Sequence, residues 1–135
     1  MKWVLVILVC AVAGFAAWVR LAPLPEARMV AEPGPDAPGR HRGEGDYKVV
    51  IPLANLPEGA RERLEAEIAR TPRARPKGEG AWVVRSALWG FPDIVRLWQA
   101  DGALHLHSGL VIGKSDMGVN AKRVDGWLER AGIGE

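Results

Sequence analysis

The chain is poor in the groups that carry out chemistry. Among 135 residues there is one cysteine, Cys10, set inside an apolar run, so no intrachain disulfide can brace a domain. Histidines number three, His41, His105 and His107. His105 and His107 would share one face of a strand, but a useful metal site needs a third ligand, and none is supplied nearby by sequence. A phosphate loop is missing as well. Gly113-Lys114-Ser115 ends like G-x-x-x-x-G-K-S, yet Ser108 stands where the first glycine is required and Leu110 to Ile112 read as strand. Nor is there an excess of charge of one sign. From Asp46 onward 13 Lys and Arg face 12 Asp and Glu, which argues against a nucleic-acid partner. No catalytic residue, metal or cofactor is therefore assigned.

Long apolar stretches are also scarce, with one exception. Trp3 to Val19 is an uninterrupted apolar run of 17 residues, which as a helix spans ~26 Å, near the lower limit for crossing a hydrocarbon core. Leu21 and Ala22 extend it if Arg20 snorkels, and Trp3 and Trp18 bracket it as interfacial anchors do. A cleaved signal peptide is the competing reading. Its small-residue cleavage site would have to be Ala11-Val12-Ala13, which makes the signal too short. Cys10, preceded by Leu8-Val9, lacks the small residue of a lipoprotein cleavage site. Residues 1–22 are thus read as a retained transmembrane anchor and the membrane as the first partner. Lys2 on one side against Arg20 and Arg28 on the other gives only a weak charge bias for orientation. Residues 23–45 hold five prolines and four glycines and read as a stiff tether. The folded domain is assigned to residues 46–135.

Within that domain Tyr47 to Leu53 reads as a strand ended by Pro52. Asn55, with Glu58 three residues on, predicts a helix start, and Thr71-Pro72 a stop after about Arg70. Ala60, Leu64 and Ile68 form its narrow apolar stripe. Ala81 to Leu88 is the next strand. Asp101-Gly102 predicts a two-residue hairpin turn that sets Arg96 opposite His107, Trp98 opposite His105 and Leu97 opposite Leu106. Val95, Leu97, Leu104 and Leu106 then make an apolar face, and Arg96, Trp98, His105 and His107 a mixed, half-exposed one. A polar turn, Lys114 to Gly118, leads into a helix from near Asn120. Val124, Trp127, Leu128 and Ala131 line that helix, and Gly132 stands at its C-cap. The order β-α-β-β-β-α predicts an α+β domain, a small antiparallel sheet with two helices on one face.

Ser108 to Arg123, preceded by Gly90-Phe91-Pro92-Asp93 and the hairpin, resembles the domain of unknown function 1499 family. Its pattern is close to F-x-D-D-V followed by R-S-x-S-R-x-G-x-S-D-x-G-x-N-x-x-R. The matching positions are Phe91, Asp93, Ser108, Gly113, Ser115, Asp116, Gly118, Asn120 and Arg123. Ile94, His107, Leu110 and Val111 depart from it, replacing Asp, Arg, Ser and Arg, so any charged site formed there in relatives is depleted here. The resemblance implies the fold of the second half and an extracytoplasmic location; no established activity comes with it.

Two surfaces are candidates for binding. One is the mixed face of Arg96, Trp98, His105 and His107. The other is the turn carrying Asp116, Asn120 and Arg123, where a helix N-terminus beside Lys114, Lys122 and Arg123 favours an anion, although the same residues also suit a plain cap. The basic loop of Arg70, Arg73, Arg75 and Lys77 reads as a solvated loop or a contact to lipid headgroups. The expected function is a non-catalytic, membrane-tethered binding or interaction domain with a lipid, an anionic ligand or a protein as partner. The alternative is an envelope enzyme of hydrolase type, with His105 or His107 as general base oriented by Asp93 or Asp116.

Overall fold

In the computed structural model residues 1–134 are described. The helix Lys2–Leu21 (α1) holds the apolar run in one piece. It is long and apolar enough to cross a membrane, with mean hydropathy 2.4, and nearly all of its side chains remain uncovered by the fold. Only Val19, near its C-terminal end, is buried.

Among the described residues six strands make one antiparallel sheet in the order β1-β2-β6-β5-β4-β3: Gly39–Arg42 (β1), Asp46–Pro52 (β2), Ala74–Pro76 (β3), Ala81–Arg85 (β4), Pro92–Ala100 (β5) and Ala103–Leu110 (β6). The central hairpin has the register set by its turn. Arg96 pairs with His107, Trp98 with His105, and Leu97 with Leu106. Asp101 and Gly102 both take positive φ, 51° and 73°, as a turn that follows the strand twist requires. Chain order departs from the expected β-α-β-β-β-α by two edge strands. β1 lies in the segment read as a tether and β3 in the segment read as a basic loop. Both are short, basic or proline-bearing and lack apolar alternation, because an edge strand with one solvated side needs none.

Ala60–Arg70 (α2) and Val119–Arg130 (α3) supply Leu64, Ile68, Val124, Trp127 and Leu128 to the core, with Tyr47, Val49, Trp82, Val84, Val95, Leu97, Leu104 and Leu106 from alternate positions of the strands. The α2 start differs from the capping box expected at Asn55. Leu53–Asn55 forms a separate 3-10 turn, and the helix begins after Gly59 at φ 72° with no side-chain cap. Pro57 explains the shift, since it disfavours helix at Leu56 and is itself best placed ahead of a first turn. At the end of α3 the Gly132 amide bonds to Glu129 O and the Ile133 amide to Leu128 O. With Gly132 at φ 76° this is a left-handed C-cap that folds Ile133 back into the core.

Candidate functional site

The second face of the sheet carries Lys48, Val50, Ile94, Arg96, Trp98, His105 and His107, and it is buried rather than half-exposed. What covers it is the chain itself, between α1 and β1. Arg96 Nε donates to Ala31 O at 2.9 Å, and Arg28 Nη1 donates to Leu110 O at 2.8 Å. Lys48 Nζ donates to Pro33 O and to Asp36 Oδ1, the latter at 3.2 Å. Under this layer the Trp98 and His105 rings stack with centroids 5.1 Å apart, and Lys48 Nζ lies 4.8 Å from the Trp98 ring. The physical reason is carbonyl supply. After a single 3-10 turn, Glu26–Met29, the segment runs without regular structure past Ala31 and Pro33, so these carbonyls are open to Lys48 and to the Arg96 Nε, while Arg96 Nη1 is met by Glu79 O and Gly80 O. A partner meeting this face would first have to displace residues 28–36.

His107 Nε2 donates to Asp46 Oδ2 at 2.8 Å. Asp93 and Asp116, expected to orient a histidine base, lie toward α3 instead. Asp93 accepts from Arg123, and Asp116 accepts from the backbone of its own turn. Neither serves His105 or His107. Burial lowers the His107 pKa below its ordinary value. The Asp46 hydrogen bond and charge oppose this in part, and the charges of Arg28 and Lys48 add to it. The folded state therefore binds fewer protons than the unfolded one. The stabilising contribution is complete above the unfolded value of about 6.5 and is lost as pH falls from there toward the lower folded value. Thermal melts of wild type are expected to fall across that window, and His107→Gln to flatten the fall; an unchanged slope in the variant would assign it elsewhere.

Asp116, Asn120 and Arg123 come together on the opposite side of the sheet. Asp116 Oδ1 accepts the Gly118 amide and Oδ2 the Asn120 amide, both at 2.9 Å, so Asp116, two residues ahead of the N-cap Gly118, satisfies amides at the start of α3. Burial alone would raise its pKa, but the Asn120 and Gly118 amides outweigh this and hold the carboxyl below the usual range. Met117 and Gly118 reach the helix through positive φ, 53° and 79°. Asn120, wholly buried, accepts from Ser108 Oγ and from Arg123 Nη1, the latter at 3.2 Å. Arg123 Nη1 in turn donates to Asp93 Oδ2 at 2.8 Å. The dense motif of the sequence is one connected network, Asp93 to Arg123 to Asn120 to Ser108, fastening β5 and β6 to α3.

Beside this network lies a cleft of about 420 Å³. Asp93, Asp116 and Arg123 form its polar wall, while Phe91, Leu110, Ile112, Met117 and Val119 make it mainly apolar. Phe15 reaches it from α1, and its ring lies 6.1 Å from Phe91 and 5.8 Å from Trp89 in edge-on contacts. Sequence reasoning missed this lining, since Phe15 reads as anchor and Leu110 as departure from a polar pattern. The available signal was a cluster of aromatic and aliphatic residues, Trp89, Phe91, Leu110 and Ile112, that exceeded the needs of the hairpin. Among the described residues no group of three or more His, Cys, Asp or Glu side chains is placed to hold a metal ion.

The family described as "Protein of unknown function (DUF1499)" matches residues 35–130, from just ahead of β1 to the end of α3. No curated protein and no solved structure matches the chain.

Proposed function

The chain belongs to the DUF1499 family, and on that premise we propose that it is a single-pass membrane protein whose extracytoplasmic domain binds, without catalysis, the apolar part of an amphiphilic molecule. The observation that carries this reading is the cleft at the foot of α1. Its volume lies within the range of small-molecule sites, and such sites combine apolar walls with a few fixed polar groups. Here the fixed groups are Asp93, Asp116 and Arg123, held by their own hydrogen bonds. Leu110 and Val111 stand where the family pattern has serine and arginine, which suits an apolar occupant better than a charged one. Phe15 adds a wall from the anchor itself, so the cleft would open where α1 leaves the bilayer.

Native mass spectrometry of the full chain, extracted from its own membranes in mild detergent, tests this. A retained adduct of lipid-like mass is expected, lost in Ile112→Arg, which sets a charge in the apolar wall, while circular dichroism shows the fold intact. A bare wild-type chain, or an adduct that persists undiminished in Ile112→Arg, would remove the cleft as the site.

A further inference from the structure

A second concave surface lies on the other side of the loop that follows β4. Arg20, Arg73, Arg75 and Arg85 line it together with Ser86, Ala87 and Gly90, and its volume is about 330 Å³. The four cations come from three separate places, the last turn of α1, β3 with the residue just ahead of it, and the end of β4. In sequence they are scattered over 66 positions, and only the fold collects them. Their bonds go to carbonyls. Arg20 Nη2 donates to Leu88 O at 2.9 Å, Arg85 Nη1 to Gly90 O at 2.8 Å and to Val19 O at 3.4 Å, and Arg73 Nε to Arg85 O at 2.9 Å. Arg20 also packs its stem against Gly90, at φ 76°, where a β-carbon would meet Arg20 Cγ at 3.0 Å. None of the four forms an ion pair with a carboxylate among the described residues.

Four like charges around one hollow repel one another, and burying none of them in a pair leaves that cost unanswered until an anion arrives. A guanidinium has five N–H donors, and the carbonyl bonds of Arg73 and Arg85 use only part of each set. The planar fork that remains matches phosphate oxygens, the geometry in which arginine outperforms lysine. The position of the hollow selects the source of that phosphate. Arg20 ends the one helix among the described residues that is apolar enough to span a membrane. Trp18, Leu21 and Leu88 beside it are 55%, 81% and 77% exposed. Cations flanked by uncovered apolar side chains at the end of such a helix are the arrangement of a headgroup contact, with the apolar groups entering the boundary and the charges meeting phosphate.

We propose that Arg20, Arg73, Arg75 and Arg85 form a site for the phosphate headgroup of an anionic phospholipid in the leaflet from which α1 emerges. The inference rests on α1 crossing the membrane and is independent of what fills the apolar cleft. Its effect is to hold the domain against the bilayer in one orientation instead of letting it swing on α1.

The test uses the full chain in nanodiscs of phosphatidylcholine, with or without phosphatidylglycerol as a minor component. Native mass spectrometry reads the lipid that stays with the protein when the disc is dispersed. Phosphatidylglycerol is expected to be retained in preference to phosphatidylcholine. Arg73→Gln with Arg75→Gln is expected to weaken that retention about fivefold per arginine, roughly 25-fold for the pair. Arg20 and Arg85 are left in place because they brace the loop through its carbonyls. Arg75→Gln alone, a change at an exposed edge strand, gives the same reading if the double variant melts early, and Arg73→Lys with Arg75→Lys should recover part of the retention. Equal retention of both lipids by wild type, or undiminished phosphatidylglycerol in the glutamine variants, overturns the proposal. Inorganic phosphate added at millimolar level should not displace the lipid; displacement would make this a site for free phosphate and overturn the headgroup assignment. A chain that fails to float with vesicles of either composition would overturn it through the anchor, an outcome distinct from a loss of anionic preference.

Discussion

Trp127→Ala is expected to lower the unfolding free energy by about 3 to 5 kcal/mol, enough to bring a small domain to the edge of folding. Trp127 is the largest wholly buried side chain and sits in the core with Leu64, Ile68, Val124 and Leu128. Its removal forfeits the transfer energy of the ring and leaves a void between α2 and α3 that a sheet-backed core cannot collapse to fill. A hydrogen bond goes with it. Trp127 Nε1 donates to Thr71 Oγ1 at 2.7 Å, and that hydroxyl donates to Glu67 O at 2.9 Å. Thr71 is the residue on which α2 ends, so the indole ties the end of one helix to the last turn of the other. Trp127→Phe separates the contributions, since it keeps most of the volume and loses the bond, worth about 0.5 to 1.5 kcal/mol. Urea unfolding followed by circular dichroism in detergent reads both variants. A loss under about 1 kcal/mol for the alanine variant would contradict the packing described.

Asp93→Ala is expected to cost about 2 to 3 kcal/mol, less than the 3 to 5 of a fully buried pair. The Asp93 and Arg123 side chains are 14% and 16% exposed, so water screens them slightly. Without Asp93 the guanidinium would keep only Asn120 as a side-chain partner, and the cost is chiefly that of a shielded charge left unmatched. Asp93→Leu combined with Arg123→Met removes both charges, and most of the stability should return. The coupling between the two sites is measured by the four-variant cycle. If the double variant is no more stable than Asp93→Ala, the pair is required for geometry as well as charge, because the network through Asn120 to Ser108 orients α3 on the sheet. The same double variant takes away two of the three polar groups of the apolar cleft and leaves Asp116, so its lipid adduct in native mass spectrometry separates fold from binding.

The local elements were legible wherever one short-range cause sufficed. Asp101-Gly102 fixed the hairpin and its register, because a two-residue turn leaves only one alignment. Asp116 and Gly118 marked the start of α3, since a cap needs an acceptor within hydrogen-bond reach of the first amides. The spacing of Val124, Trp127, Leu128 and Ala131 named the buried side of that helix, all four lying in the core. The unbroken run from Trp3 to Val19 required a single apolar helix. Tertiary structure decided the rest. Whether Arg96, Trp98, His105 and His107 face solvent or protein depends on where residues 28–36 lie, and proline-bearing chain with no periodicity says nothing of its own docking. β1 and β3 formed because the sheet offered unpaired edges, a property of β2 and β4 and not of the residues that joined them. Asp93 and Arg123, 30 positions apart, and Arg20 and Arg85, farther apart still, meet because the sheet brings distant segments side by side. Local sequence sets which turns and helices are cheap, but a site is a set of long-range distances, and those follow only once the core has closed.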